Sequence, residues 1–170
     1  LMMNKPAGVL SAARDPRTPT VVDLLPEPLR RRGLFPAGRL DKDTTGLLLL
    51  TDDGDWVHRV ISPKSHVYKL YEAVLDAPVE ETDVEAFARG IPLKGFTCQP
   101  ARLHLPQEGN TARVEVCEGK FHQVKRMFAA RGKTVLQLRR LRVGGLWLDP
   151  SLKPGEIREL TEKERELIFL

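Results

Sequence analysis

Cysteine is scarce in this chain. It occurs only as Cys98 and Cys117, with no CxxC pair, so neither a disulfide framework nor a thiolate zinc site is indicated, and a reducing cytoplasm fits best. No stretch approaches the roughly 20 apolar residues of a membrane span, and the start lacks the basic-then-apolar layout of a secretory signal. His58, His66, His104 and His122 show no metal-ligand spacing, and neither a glycine-rich nucleotide loop nor a nucleophile elbow is present. No metal or cofactor is therefore expected, and no repeat at a fixed period is found.

What is present is a globular composition, 41% hydrophobic and 29% charged over 170 residues. That length suits one domain with a substantial core, or two small lobes sharing a cleft. Lys and Arg number 27 against 23 Asp and Glu, a net +4 with a pI near 9.2. Such an excess is compatible with a polyanionic partner without demanding one. Leu1 is not an initiator and already reads as part of a strand, so a preceding segment is expected.

Leu1–Lys5 reads as a strand running into the Pro6-Ala7-Gly8 turn, and Val21–Leu25 as a short helix or strand. The run Arg30-Arg31-Arg32-Gly33 has the composition of a solvated loop or helix end, the alternative being a phosphate-facing role, and Phe35–Asp43 has that of a loop. Four consecutive leucines make Gly46–Thr51 a strand buried on both sides. Val67–Leu75 is a strand whose period of two places Val67, Lys69, Tyr71 and Ala73 on one face. Helices are expected at Asp55–Ile61, near Glu80–Arg89 and at about Phe121–Arg131, the last two stopped by Gly90 and Gly132. Arg113–Cys117 and Val135–Val143 are further strands. The tail returns as a strand and a helix opened by Thr161 and Glu164 as a capping box. Strands dominate without strict alternation with helices, so the class is α+β with a mixed, mostly antiparallel sheet.

Four segments could carry chemistry. Gly38-Arg39-Leu40-Asp41 sets a guanidinium and a carboxylate two residues apart in a loop before a very apolar strand. A carboxylate there is partly desolvated and needs a cation to stay ionised at neutral pH; the plain alternative is an Asp-bearing turn. Lys69-Leu70-Tyr71 sends a basic and an aromatic side chain to the same side, suited to a phosphate or carboxylate and to a stacked base, although an aromatic in a strand is more often core. In Glu118–Phe128, helical spacing groups Phe121, Val124 and Phe128 on one face and His122, Lys125 and Arg126 on another. Those cations oppose the macrodipole at the helix start, and such local conflicts are often functional; the alternative is a solvated face. Alternation on the next strand puts Arg140 and Arg142, beside Arg139, on one side, either an exposed sheet face or the phosphate-contacting wall of a groove.

Taken together these motifs resemble one family. Gly38-Arg39-Leu40-Asp41-Lys42-Asp43-Thr44-Thr45-Gly46 and the following Leu47–Gly54 closely resemble the catalytic signature of the RsuA-type bacterial rRNA pseudouridine synthases. Met3-Asn4-Lys5-Pro6-Ala7-Gly8 is similar to that family's first strand and turn, Lys69-Leu70-Tyr71 to its Lys-x-Tyr motif, and Glu118–Met127 to its third motif. The ending, from Arg140-Leu141-Arg142-Val143-Gly144 to Leu160-Thr161, is also similar, so the resemblance covers nearly the whole chain.

The resemblance implies the pseudouridine synthase fold over residues 1–170, two lobes sharing one bent sheet and a central cleft. It implies an isomerase that detaches a uracil from its ribose, rotates it and rejoins it through carbon, with no cofactor. Asp41 is then the indispensable carboxylate, as nucleophile or as base on the sugar, Lys125 its paired cation, and Tyr71 the residue that stacks on the uracil and serves the later proton transfer. If the Asp41–Lys125 pair is buried, removing Lys125 costs roughly 3–5 kcal/mol. Arg39 holds the backbone or fills the space left when the target base leaves its stack. Lys69, Arg126, Arg140 and Arg142 are the implied phosphate contacts, and His122 and Gln123 join the substrate-binding set through the third motif.

Pro19-Thr20-Val21, Trp56-Val57-His58-Arg59 and Ser62-Pro63-Lys64-Ser65-His66 look most like the small-subunit branch, which modifies uridine 516 of 16S rRNA. The implied partner is 16S rRNA or a small-subunit assembly intermediate, bound by a monomer. The family's N-terminal S4-type RNA-binding domain has no counterpart in these residues and is expected to have been removed or lost. The alternatives are a large-subunit enzyme of the same family, a non-catalytic RNA-binding or ribosome-assembly module, and a two-carboxylate hydrolase using Asp41 with Asp43.

Overall fold

Leu47, Leu48, Leu49 and Leu50 decide the centre of the fold, because a strand apolar on both sides has to be covered on both. In the computed structural model, which describes residues 1–105, 109–120 and 122–170, these leucines lie in β3 (Thr45–Thr51) and are buried to the last side chain. Leu48 and Leu50 enter one core and Leu47 and Leu49 a second. The first core takes Ala86 and Phe87 of α3 (Glu81–Arg89) and Val124, Met127 and Phe128 of α4 (Gln123–Ala130), with the Phe87 and Phe128 rings 5.0 Å apart. The second takes Val60 of α2 (Gly54–Ile61) and packs against Leu167 of α5 (Glu162–Leu167).

Around β3 runs a nine-stranded mixed, mostly antiparallel sheet, which includes β2 (Phe35–Pro36) paired with β3 and β10 (Leu146–Trp147) paired with β9 (Val135–Val143). β1 (Met2–Lys5) lies antiparallel on one side of β3, followed by β11 (Ile157–Arg158). On the other side β9 (Val135–Val143) runs parallel to it, then β4 (Lys69–Leu75), β8 (Thr111–Val116) and β7 (Arg102–His104) continue antiparallel. The parallel register sets Thr45 beside Arg139 and Gly46 beside Arg140. It brings the loop that leads into β3 alongside the helix that leads into β9.

The chain ends its helices as the sequence chemistry requires. Asp53 caps α2 by accepting from the Trp56 amide at 3.1 Å, and Thr161 and Glu164 form the expected capping box on α5. Several expectations shift. The helix expected from Phe121 starts at Gln123, because His122 stands in left-handed backbone at φ 49°; Phe121 itself lies outside the described residues. The strand expected from Val67 starts at Lys69, after a left-handed turn at His66. Phe35–Pro36 (β2) pairs with β3 inside the expected loop, and Pro92–Leu93 (β5) forms a hairpin with Phe96–Thr97 (β6). A two-residue strand has too little sequence to show a period.

One correction bears on the site. Between Leu70 and Tyr71 the register against β9 jumps from Arg142 to Arg140, so Leu141 is an inserted bulge residue. Cross-strand partners share a face, so Arg140 lies on the side of Tyr71 and Arg142 on the side of Leu70. The two arginines expected to share a face are on opposite ones. Among the described residues no helix is long and apolar enough to cross a membrane.

Candidate active site

The loop between β2 and β3 is clamped from below. Lys5, fully buried, donates through Nζ to the carbonyls of Thr44 at 2.7 Å, Pro6 at 3.0 Å and Lys42 at 3.1 Å. Burial drops its ammonium to about 8, against the pull of Asp43 and Asp41. Ser11 Oγ donates to the Leu40 carbonyl at 2.9 Å and accepts from the Leu40 amide at 3.0 Å. The Gly8 amide donates to Lys42 O at 2.8 Å. The backbone on both sides of Asp41 is thereby fixed.

Over this loop stands the start of α4. Lys125 Nζ lies 2.7 Å from Asp43 Oδ1 and 3.4 Å from Asp41 Oδ2, and His122 Nε2 lies 3.5 Å from Asp41 Oδ1. Burial works against the Lys125 ammonium, but the Asp43 hydrogen bond and the two carboxylate charges outweigh it and hold it above its ordinary value. The Lys125 hydrogen bond in turn pulls Asp43 below the usual carboxylate range. The Asp41–Lys125 pair is not the buried one the sequence led us to consider. About a quarter of each side chain is exposed, and Asp43 takes the shorter contact. Both carboxylates converge on one cation, which gives no opposed pair of the kind a hydrolase uses.

Tyr71 rises from β4 beside this cluster. Arg140 Nη1 lies 3.5 Å from Tyr71 Oη, and its Nε donates to Leu47 O at 2.8 Å. A cavity of about 340 Å³ opens between Gly38, Arg39, Lys69, Tyr71, Glu118 and Arg140, within the range of small-ligand sites. A smaller one of about 40 Å³ lies against Asp41, Thr44, His122 and Lys125 and shares Arg39, Tyr71 and Glu118 with the first. Volume alone would mislead: a larger opening of about 440 Å³, at Leu1, Arg32 and Trp56, holds none of the expected residues.

A model of the RNA pseudouridylate synthase family matches residues 1–130. The chain belongs to that family. It is an RNA pseudouridine synthase, an isomerase acting on RNA. The synthase is 49% identical over 172 residues to the uncharacterized RNA pseudouridine synthase YtzG of Bacillus subtilis (strain 168), covering 99% of this chain and 72% of the relative. It is 48% identical over 166 residues to ribosomal small subunit pseudouridine synthase A of Escherichia coli (strain K12), covering 96% of this chain and 71% of that one. A crystal structure of a pseudouridylate synthase superposes with a TM-score of 0.92 at 46% identity, over 98% of this chain and 72% of the other.

Within the synthase, the expected substrate-binding residues divide. Arg39 borders both cavities and has no hydrogen-bond or ion-pair partner among the described residues. Lys69 and Arg140 also face the larger cavity, but they are only 6% and 4% exposed. Lys69 Nζ donates to Val60 O at 3.3 Å, and burial, then the Arg140 charge, drops it to about 8. Both therefore line the inner wall of the cavity rather than an exposed sheet face. Arg142 is the second casualty of the bulge. It pairs with Glu115 at 3.0 Å and lies over the Trp147 ring, away from Tyr71.

Arg126 borders neither cavity; its guanidinium lies 5.4 Å from the Phe96 ring, which Lys120 also approaches at 4.4 Å. Gln123 is buried, accepts from the Lys120 amide at 3.1 Å and donates to Glu118 at 3.1 Å. It therefore shapes the turn before α4. Sequence reasoning missed Lys5, Ser11 and Glu118 as individuals. Lys5 and Glu118 sat inside quoted motifs, whereas nothing local to Ser11 signals its reach to Leu40.

Proposed function

We propose that this synthase isomerises uridine 516 of 16S rRNA, with Asp41 as the carboxylate on which the reaction depends. The observation that carries the site reading is the convergence of Asp41, Lys125 and Tyr71 at one cleft. The target reading is supported by the 48% identity to the Escherichia coli small-subunit enzyme and by the flanking segments around Thr20, Trp56 and Ser62.

The reaction balances without a co-reactant. The bond from ribose C1′ to uracil N1 breaks, the ring turns, a bond from C1′ to C5 forms, and the proton on C5 moves to nitrogen through general base and solvent. Asp41 opens the sequence by adding to the nucleotide or by taking a sugar proton. Lys125, 3.4 Å from it, holds it in place. The target must leave its stack, at a cost of a few kcal/mol that is smaller in unpaired RNA; Arg39 is free to take the vacated space. Tyr71 supplies the stacking surface. The whole chain, residues 1–170, serves as the catalytic domain, acting as a monomer on 16S rRNA or a small-subunit intermediate.

The parent and Asp41→Asn are incubated with unmodified small-subunit and large-subunit rRNA transcripts, and pseudouridine is mapped by chemical tagging and primer extension. One new stop in the small-subunit RNA, absent with Asp41→Asn, is expected. A stop only in the large-subunit RNA moves the target to the other branch. Binding without modification of transcript or assembly intermediate returns the chain to a non-catalytic RNA-binding role.

A further inference from the structure

Glu118 is a carboxyl group in an unusual position for a protein that receives a polyanion. It is 6% exposed and borders both cavities. Its Oε1 accepts from the Gln99 amide at 2.6 Å and from Gln123 Nε2 at 3.1 Å, so the side chain is held in one pose. Among the described residues Oε2 has no hydrogen-bond partner, and no cation stands within ion-pair distance of the group. Unlike Thr44 Oγ1, Oε2 is not sealed from solvent, and the residue that carries it borders both cavities. A fixed, unpaired acceptor beside an RNA site is a local conflict that a hydrogen-bond donor on the ligand resolves.

The rest of the cavity indicates which donor. Lys69 and Arg140 line the same space as Glu118 and carry only donors. Arg39 and Lys120 add further donors, which leaves Glu118 as the one carboxylate of the lining; a single acceptor set among donors matches a uracil edge, which offers two carbonyl oxygens and an imide N–H between them. Cytosine, with a bare ring nitrogen at that place, sets an acceptor against an acceptor. We infer that Glu118 Oε2 accepts the imide N3–H of the target uracil and is a base-specificity residue of the site. The inference rests on the pseudouridine synthase reading of this cleft.

The test is a cycle of one protein change and one RNA change. Parent, Glu118→Gln and Glu118→Ala are assayed on rRNA carrying the target as uridine or as 3-methyluridine, which lacks the N3 donor. For the parent, methylation is expected to lower the single-turnover rate about tenfold or more, the effect of one lost hydrogen bond to a charged group. In both variants the rate on uridine falls by a similar factor and methylation then changes little. Glu118→Gln keeps an acceptor for the Gln99 amide, so its melting temperature stays near the parent's and guards against a folding defect in Glu118→Ala. Equal methylation penalties in parent and variants overturn the inference while leaving the synthase reading intact. A parent that converts no uridine in any rRNA removes both.

Discussion

Replacing Lys5 with methionine tests whether the loop carrying Asp41 is held in place by the ammonium beneath it. Methionine has nearly the same length and removes the ammonium donor from three carbonyls, of Pro6, Lys42 and Thr44, of which Lys42 O keeps the Gly8 amide. Hydrogen bonds to a charged group are worth about 1.5–3 kcal/mol each. Against that gain, burial takes the ammonium from 10.5 to about 8, an opposing cost on the order of 3 kcal/mol that Lys5→Met relieves. The balance is a net loss of about 1.5–6 kcal/mol, a large part of the roughly 5–15 kcal/mol of a typical domain. Thermal melts followed by circular dichroism should show a drop of roughly 3–24 °C, and conversion should fall further than the folded fraction, because the loop loosens before the sheet does. A variant melting at or above the parent temperature would refute the reasoning, since the buried charge would then cost more than its three bonds return.

Lys125→Met should cost about 1 kcal/mol or less, since its ion pairs are partly exposed, yet lower conversion by roughly 10²-fold; a drop in melting temperature as large as the Lys5 variant's would mean the pair is more deeply buried than its geometry shows. Asp83, with a side chain 2% exposed between Arg131 at 2.8 Å and Lys133 at 2.7 Å, should be the most sensitive surface-distant carboxylate. Asp83→Ala is expected to cost about 3–5 kcal/mol by urea unfolding, and a loss under about 1 kcal/mol would show that the network contributes nothing. Lys69 titrates at about 8 in the fold against 10.5 in the unfolded chain. Between these values the unfolded chain holds a proton the folded chain has released, so folded stability rises with pH across that window. The parent should therefore gain on Lys69→Met between pH 8 and pH 10; if it loses ground there, the charged form is the one the fold stabilises.

The central strand was readable because four leucines in a row leave little choice, and β9 because its nine residues carry a long period. The placing of Asp41 before that strand followed from motif and loop chemistry. What stayed hidden depends on contacts between distant segments. Nothing in Arg139–Val143 marks Leu141 as an insertion; the bulge exists only relative to β4, and it alone sends Arg140 inward and Arg142 away. The preference of Lys125 for Asp43 over Asp41 is likewise a matter of tenths of an ångström across the cleft, beyond what spacing can specify.

The parallel pairing of β3 with β9 has a kinetic corollary. Arg140 and Leu47 meet across 93 residues of chain, and Lys125 and Asp43 across 82. The antiparallel β4–β8 and β1–β3 pairs can close while those contacts are still open, and loop closure over such separations is slow. Until β3 and β9 pair, the Arg140–Leu47 contact at the wall of the cleft cannot form, so completing the cleft depends on a long-range pairing of the sheet.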